Sequence, residues 1–269
     1  MSPNAEDASG AEVTFPAAPS RIISLVPSVT EILFALGLGD KVVGITDWCI
    51  HPADAVARLP RVRGTKNPDL QAVRALAPDL VLANLEENRE VDVRRMREEG
   101  LCVWVDFPRT LAEVVEHVRW LSRLGPALSK GTDLVRKLQA AVDAKSEETT
   151  TSRRCFLPVW KEPWMSISAN TYAHDLLRHL GLCNVFADRE ERYPRVDLDA
   201  IRRLEPEVIL LPDEPYAFTP ADAEELRSAL AATPAAKTGE IYVVDGTLAF
   251  WPGPRTIRAL NEGLRPKHG

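Results

Sequence analysis

Residues Asp69–Asn88 have the sequence DLQAVRALAPDLVLANLEEN, and 128 residues later Asp197–Tyr216 have the sequence DLDAIRRLEPEVILLPDEPY. In both stretches apolar residues recur at helical spacing, a proline then ends the helix, and a short apolar run bounded by polar residues follows. Such a run is typical of a buried strand. The two stretches therefore predict the same helix-to-strand step of a parallel sheet, present twice in the chain.

A second pair of similar stretches precedes the first pair in the same order. EILFALGL covers Glu31–Leu38, and DLLRHLGL covers Asp175–Leu182. Ordered blocks so far apart indicate two lobes of shared topology instead of a short tandem repeat. Because strands and helices alternate within each lobe, the predicted fold class is α/β with a parallel sheet in each lobe.

The sequence divides into four predicted segments. Residues 1–18 are rich in Ala, Ser, Pro and acidic residues, which predicts a flexible arm. An N-terminal α/β lobe is predicted over residues 19–125 and a C-terminal lobe over residues 151–269. Residues 126–150 begin with a proline and show helical periodicity, so they predict one linking helix about 30 Å long.

Composition excludes several classes of protein. The chain has 269 residues, of which 45% are hydrophobic, so it can bury a substantial core. Its net charge is -6 with no basic cluster, so no nucleic-acid partner is expected. No apolar run reaches the length of about eighteen residues that a membrane span requires. Four cysteines without CxxC spacing favour neither a disulfide framework nor a structural zinc site.

The first twenty residues contain neither a basic segment nor an apolar segment of the kind found in signal peptides. The sequence as written therefore predicts a cytoplasmic protein. If an export signal was removed before this sequence was written, the expected location is the periplasm or the cell surface.

Aromatic and polar residues follow the predicted strands, where ligands of parallel α/β sheets bind. Tryptophan combines a large apolar face with one polar group, so several tryptophans suit a large, flat, partly polar ligand. The alternative for each tryptophan is that it only fills its own lobe. The predicted ligand-binding residues are Trp48, Cys49, His51, Lys66, Asn67, Glu86, Glu87, Asn88, Trp160, Trp164, Tyr193, Glu214, Tyr216 and Trp251.

Cys49 and His51 lie two residues apart, so in an extended segment both side chains would point to one side. His51 is a candidate axial ligand of cobalt or iron, since imidazole binds such metals. The alternative is a loop histidine that only forms hydrogen bonds. Lys66, Asn67 and residues 86–88 could bind carboxylate, amide or phosphate groups of a ligand, or could form solvated turns.

The ordered set of stretches from Arg21 to Leu260 resembles the substrate-binding proteins of ABC importers for cobalamin and iron-siderophores. The resemblance rests on RIISLVPSVTEILFALGLGDKVVGIT, PDLVLAN, VWKEPW, TYAHDLLRHLGLCNVFAD, PEVILLPDEP and PGPR in this order. It implies two Rossmann-like lobes joined by one rigid α-helix, with a cleft between the lobes for a metal chelate. It also implies that Trp48, Trp164 and the Leu248–Trp251 loop contact a corrin.

The resemblance implies an ABC permease as partner, contacted through one glutamate on each lobe. The matching positions here are Gln71 and Asp199, so one of the two carboxylates is missing. A small-molecule ligand and a monomeric state are expected, without an intrinsic cofactor or a resident metal.

Two functional hypotheses follow from the sequence. The first is a non-catalytic binding protein for a cobalamin-like or other metal-chelate ligand. The second is a cytoplasmic enzyme or metallocluster-handling protein that uses Cys49, His51, Lys66 and Glu86. No GxSxG, Walker or HExxH motif is present, which favours the first hypothesis.

Overall fold

The computed structural model describes residues 4–16, 18–125, 129–146 and 152–266. The chain divides into two compact units. Unit 1 comprises Met1–Pro108 and Val114–Lys137, and unit 2 comprises Arg109–Glu113 and Leu138–Gly269. Among the described residues no helix has the length and apolar character needed to cross a bilayer.

A four-stranded parallel sheet forms the centre of unit 1, with strand order β4-β3-β7-β8. Two short antiparallel hairpins, β1–β2 and β5–β6, accompany it. The strands are β1 (Asn4–Glu6), β2 (Glu12–Thr14), β3 (Ile22–Ser24), β4 (Val42–Ile45), β5 (Arg63–Gly64), β6 (Asn67–Pro68), β7 (Leu80–Asn84) and β8 (Val103–Asp106), and the helices are α1 (Pro27–Ala35), α2 (Ala53–Val56), α3 (Leu70–Ala75), α4 (Glu90–Glu98), α5 (Leu111–Leu121) and α6 (Ser129–Ser146).

Unit 2 contains a second four-stranded parallel sheet, with strand order β12-β9-β13-β14. Strands β10 and β11 form a separate antiparallel hairpin. The strands are β9 (Arg153–Phe156), β10 (Pro158–Trp160), β11 (Met165–Ser166), β12 (Leu182–Asn184), β13 (Val208–Pro212) and β14 (Ile241–Val244), and the helices are α7 (Tyr172–His179), α8 (Leu198–Arg203), α9 (Pro220–Ala229), α10 (Pro234–Thr238), α11 (Gly246–Phe250) and α12 (Pro254–Glu262).

The two sheets have the same topology, because in each one the first strand lies between the second and the third. The repeated stretch forms the same step in both units. Asp69 and Asp197 cap the N-termini of α3 and α8 by accepting hydrogen bonds from backbone N–H groups. Both helices end at a non-glycine residue with positive φ, Ala77 at 44° and Glu205 at 46°. The strands that follow, β7 and β13, are buried within their sheets.

The linking helix predicted over residues 126–150 is observed as α6 over Ser129–Ser146. Residues 126–128 and 147–150 lie outside the described residues. The boundary between the units falls within this helix, after Lys137. The first residues of α5 also group with unit 2.

The N-terminal segment differs from the flexible arm predicted over residues 1–18, of which residues 1–3 and 17 are not described. Strands β1 and β2 form a hairpin beside β8, the edge strand of the unit 1 sheet. In its turn, the buried Asp7 carboxylate accepts a 2.9 Å hydrogen bond from the Val105 N–H and pairs with Arg97. The Ala8 N–H donates to the Val105 carbonyl at 3.0 Å. These contacts attach the hairpin to the sheet. They join residues about ninety or more positions apart, so a local sequence pattern does not predict them.

Candidate functional site

Three loops at the carboxyl edge of the unit 1 sheet are joined by hydrogen bonds. The loop after β4 contacts the β5–β6 hairpin, where the Asp47 N–H donates to the Arg63 carbonyl at 2.9 Å. That hairpin in turn contacts the loop after β7, because Lys66 Nζ donates to the Glu86 carbonyl. Residues 46–52, 63–68 and 85–88 therefore form adjoining loops, which we call the unit 1 loop surface.

The buried side chain of Asn88 forms hydrogen bonds that connect these loops. Its side chain is 5% exposed, and its Nδ2 donates to the Thr65 carbonyl at 2.9 Å. Its Oδ1 accepts from the Asn84 N–H at 2.9 Å. Asn88, a predicted ligand contact, is therefore a buried residue whose side chain connects the loops.

Asn84 and Asp106 extend this framework to the ends of β7 and β8. The Asn84 Oδ1 accepts from the Glu86 N–H at 2.8 Å, and its Nδ2 donates to Asp106 Oδ1 at 2.6 Å. His117 Nε2 lies 3.2 Å from the other Asp106 oxygen. Burial raises the pKa of the Asp106 carboxyl, although the neighbouring His117 and the bond from Asn84 act in the opposite direction. The network fixes the base of the loop after β7.

The unit 1 loop surface presents large apolar side chains to solvent. Trp48 is 65% exposed, and Ile50 and Leu85 on the same group of loops are also exposed. A Cβ added to Gly64 would lie 2.5 Å from Asn67 Oδ1 and 3.4 Å from Trp48 Nε1, so the side chains of Asn67 and Trp48 both approach the Gly64 backbone closely. Exposed apolar side chains on adjoining loops are typical of a binding surface.

Cys49 is fully buried, which is a correction to its predicted role. Its Sγ accepts a 3.1 Å hydrogen bond from Thr30 and lies 3.1 Å from the Thr46 hydroxyl. Burial raises the pKa of this thiol more than the hydrogen bonds lower it, so the neutral form is favoured. His51 is half-buried and precedes a cis proline. The Cys49 N–H donates to the Thr46 carbonyl at 3.2 Å and the Ile50 N–H to the Trp48 carbonyl at 2.9 Å. The segment is therefore turned and is not the extended one from which Cys49 and His51 were expected to face one side.

Lys66, Asn67 and Glu87 are exposed, and Glu86 is half-buried. All four belong to the unit 1 loop surface, on which Trp48 also lies. In the described ranges no three His, Cys, Asp or Glu side chains gather in a group that could hold a metal ion.

In unit 2 four aromatic rings form a continuous row, which we call the ring row. The Trp160 and Tyr216 centroids lie 5.3 Å apart, and Tyr216 and Phe218 lie 4.6 Å apart. Phe218 stacks on Trp164 with centroids 5.7 Å apart and planes 9° apart. Trp160, at one end of the row, is 44% exposed, whereas Trp164 packs against the core of unit 2. The ring row therefore places the exposed Trp160 beside the half-buried Tyr216, which in turn contacts the buried Phe218.

Glu214 and Trp251 form a second polar and aromatic group in unit 2. The indole N–H of Trp251 donates to Glu214 Oε1, and the Arg255 guanidinium lies 5.1 Å from the Trp251 ring centroid. Trp251, a predicted ligand contact, is buried, and its indole nitrogen is hydrogen-bonded to Glu214. Tyr193 packs against the apolar cluster around β9. The partners of Trp251 and Tyr193 are distant in the sequence, so no local sequence pattern predicts these contacts.

Burial raises the pKa of Glu214, as does the nearby Asp213, while the bond from Trp251 lowers it. A carboxyl whose folded-state pKa exceeds its ordinary value of 4.5 binds protons more tightly when folded. The free energy of unfolding should therefore fall as pH rises from 4.5 through the folded-state pKa. We expect Glu214→Gln to remove this pH dependence in denaturant titrations, with the exposed Glu224→Gln as control. Equal pH dependence in wild type and Glu214→Gln would contradict the assignment.

A family profile described as periplasmic binding protein matches residues 22–248. The chain belongs to this family. Periplasmic binding proteins of ABC importers are not enzymes, and this chain is accordingly a substrate-binding protein without catalytic activity. The burial of Cys49 agrees with this conclusion and does not favour the alternative that paired Cys49 with His51 in an enzyme or metallocluster-handling protein.

Named relatives cover nearly the whole chain. An uncharacterized ABC transporter substrate-binding lipoprotein of Bacillus subtilis is 30% identical over 96% of this chain and 82% of its own length. A vitamin B12-binding protein of Vibrio parahaemolyticus is 26% identical over 90% of this chain and 87% of its own length. The crystal structure of the periplasmic vitamin B12 binding protein of Vibrio cholerae matches with a TM-score of 0.81 and 24% identity, and covers 93% of this chain and 96% of that one. The last match confirms the predicted α/β fold class of these binding proteins.

Proposed function

We propose that this chain binds a cobalamin-like corrinoid or another metal chelate. The observation that carries the proposal is the exposure of Trp48, Ile50 and Leu85 on the unit 1 loop surface, beside Glu86, Glu87 and Asn67. The apolar faces suit a flat ring system, and the surrounding carboxylates and amide suit the primary amides that surround a corrin. The names of the Vibrio relatives support the same ligand class.

We further propose that Trp160 of unit 2 contacts the ligand, since it is the exposed end of the ring row. Glu214, Tyr216 and Trp251 belong to the second group of proposed contacts, with Trp251 acting through its hydrogen bond to Glu214. His51 remains the proposed axial ligand of the metal. Cys49 is excluded from this set because its thiol is inside unit 1.

Ligand titration tests the proposal directly. Purified protein is titrated with cyanocobalamin, haemin and a ferric siderophore while tryptophan fluorescence and heat are recorded. We expect saturable quenching by one of the three with a Kd below about 1 µM. Trp48→Ala and Trp160→Ala should each weaken binding by roughly tenfold, because loss of an aromatic contact of this size costs on the order of 1 kcal/mol. Absence of saturable binding to all three ligands would contradict the proposal.

The absorption spectrum tests the proposed role of His51. Replacement of His51 by alanine should shift the visible bands of the bound corrinoid or haem, because an imidazole nitrogen changes the ligand field of the metal. Unchanged bands with unchanged affinity would show that His51 is not an axial ligand.

We propose delivery to an ABC permease from the periplasm or the cell surface by a monomer. The names of the relatives support such a partner and location, and they do not support the cytoplasmic location expected from the sequence as written. Gln71 is exposed at the start of α3, and Asp199, at the start of α8, pairs with Arg202. Restoring a carboxylate with Gln71→Glu should strengthen binding to the cognate permease in detergent, and weaker binding would argue against docking at this position.

A further inference from the structure

Lys161 lies directly after Trp160, in the turn that joins β10 and β11. Its side chain is 11% exposed. Its Nζ donates to Asp222 Oδ1 at 2.8 Å and to Glu225 Oε2 at 2.6 Å, both on α9. Few lysine side chains are so thoroughly enclosed unless they are paired. Lys161 therefore attaches the β10–β11 turn to α9 across 61 residues of sequence.

Asp222 is also held in place by hydrogen bonds that do not involve Lys161. Its Oδ2 accepts from the Thr219 N–H at 2.8 Å and from the Thr219 hydroxyl at 2.7 Å, which forms a capping box at the start of α9. Burial alone would raise the pKa of Asp222, but the hydrogen bonds from Lys161 and Thr219 outweigh it and hold that pKa below its usual range. The ammonium group of Lys161 thus binds an ionised carboxylate with little freedom to move.

The turn is also attached to the ring row. Trp160 pairs with Met165 across the hairpin, and Trp164 lies at the other end of the turn. Lys161 Nζ lies 5.9 Å from the Trp164 ring centroid, within the range of a cation–π contact. The Trp164 carbonyl accepts from the Val196 N–H at 2.9 Å. The ion pairs of Lys161 therefore attach the turn next to Trp160 to helix α9.

We propose that Lys161 is a positioning residue for ligand binding: its bonds to Asp222 and Glu225 order the turn so that the exposed Trp160 ring is in place before a flat ligand arrives. The proposal rests on the proposed function and adds a residue that does not itself touch the ligand. Ordering a flexible aromatic side chain during binding lowers affinity, and a side chain ordered beforehand avoids that loss.

A double-mutant cycle tests the proposal. Lys161→Met keeps the length and apolar character of the side chain and removes the ammonium group. We expect it to weaken binding of cyanocobalamin by about threefold to tenfold, which corresponds to the ordering of one rotamer-rich side chain. In a Trp160→Ala background the same substitution should have no further effect on Kd. Lys237→Met, at an exposed lysine of unit 2, serves as control and should bind as wild type does.

A ligand-free measurement separates ordering from general stability. In protein labelled with 5-fluorotryptophan, the resonance lost in Trp160→Phe identifies Trp160. We expect Lys161→Met to shift and narrow that resonance while the Trp48 resonance stays unchanged. An equal loss of affinity with and without Trp160, or an unchanged Trp160 resonance, overturns the role of Lys161 and leaves the proposed function standing. Failure of the wild-type protein to bind any chelate overturns both.

Discussion

Replacing Asp7 by alanine is expected to lower the free energy of unfolding by about 3 to 5 kcal/mol. The substitution leaves the Arg97 guanidinium without its buried carboxylate and the Val105 N–H without its acceptor. It also removes the acceptor of the Ser9 N–H, which lies 2.9 Å from Asp7 Oδ1. Chemical denaturation followed by tryptophan fluorescence would measure the change, because Trp104 and Trp120 lie in the same unit.

Glu12→Ala is the matched control, since Glu12 is an exposed acid on the same hairpin. It should change the free energy of unfolding by less than about 0.5 kcal/mol. A larger loss of stability in Asp7→Ala than in Glu12→Ala would show that Asp7 attaches the hairpin to the sheet. Pairing between β1 and β2 alone would not produce this difference. Similar small effects of both substitutions would mean that the hairpin contributes little to unit 1.

Replacing Asn88 by alanine is expected to lower the free energy of unfolding by about 3 kcal/mol. The reason is that the Thr65 carbonyl and the Asn84 N–H both lose their partner, and each such buried group costs about 1 to 3 kcal/mol when unsatisfied. The same change should raise the rate of amide hydrogen exchange in residues 64–67 and 85–88, because these loops share the Asn88 side chain.

Asn67→Ala provides the control for Asn88→Ala, because it removes the same amide from an exposed position on the neighbouring hairpin. We expect almost no change in stability for Asn67→Ala and slightly weaker ligand binding. If Asn88→Ala instead leaves exchange in the loops unchanged, Asn88 does not connect them.

The fold could be predicted because its signals are local. The proline-terminated helix followed by an apolar run appears in the sequence at Asp69 and again at Asp197, and each run forms a central strand with the same neighbours in its sheet. Helix α6, which lies within residues 126–150, could also be predicted, since helical periodicity needs no distant partner. The hairpin at Asp7 could not, because its attachment depends on Arg97 and Val105.

The candidate site could be predicted only at the level of loops. Strand ends show which loops meet, and the structure brings Trp48, Lys66 and Glu86 onto adjoining loops. Exposure within a loop depends on side chains far away in the sequence. Cys49 is buried and its thiol accepts a hydrogen bond from Thr30, and Trp251 is buried with its indole N–H bonded to Glu214. Lys161 gave no sequence signal, since its carboxylate partners lie on α9.

Ala77 and Glu205 have nearly the same left-handed backbone conformation at equivalent helix ends, so the effect of a substitution at one can be compared with its effect at the other. A glycine placed at either residue relieves the same backbone strain, in the same solvent and within one molecule. Any difference between the two measured effects must then come from the surroundings of each helix end.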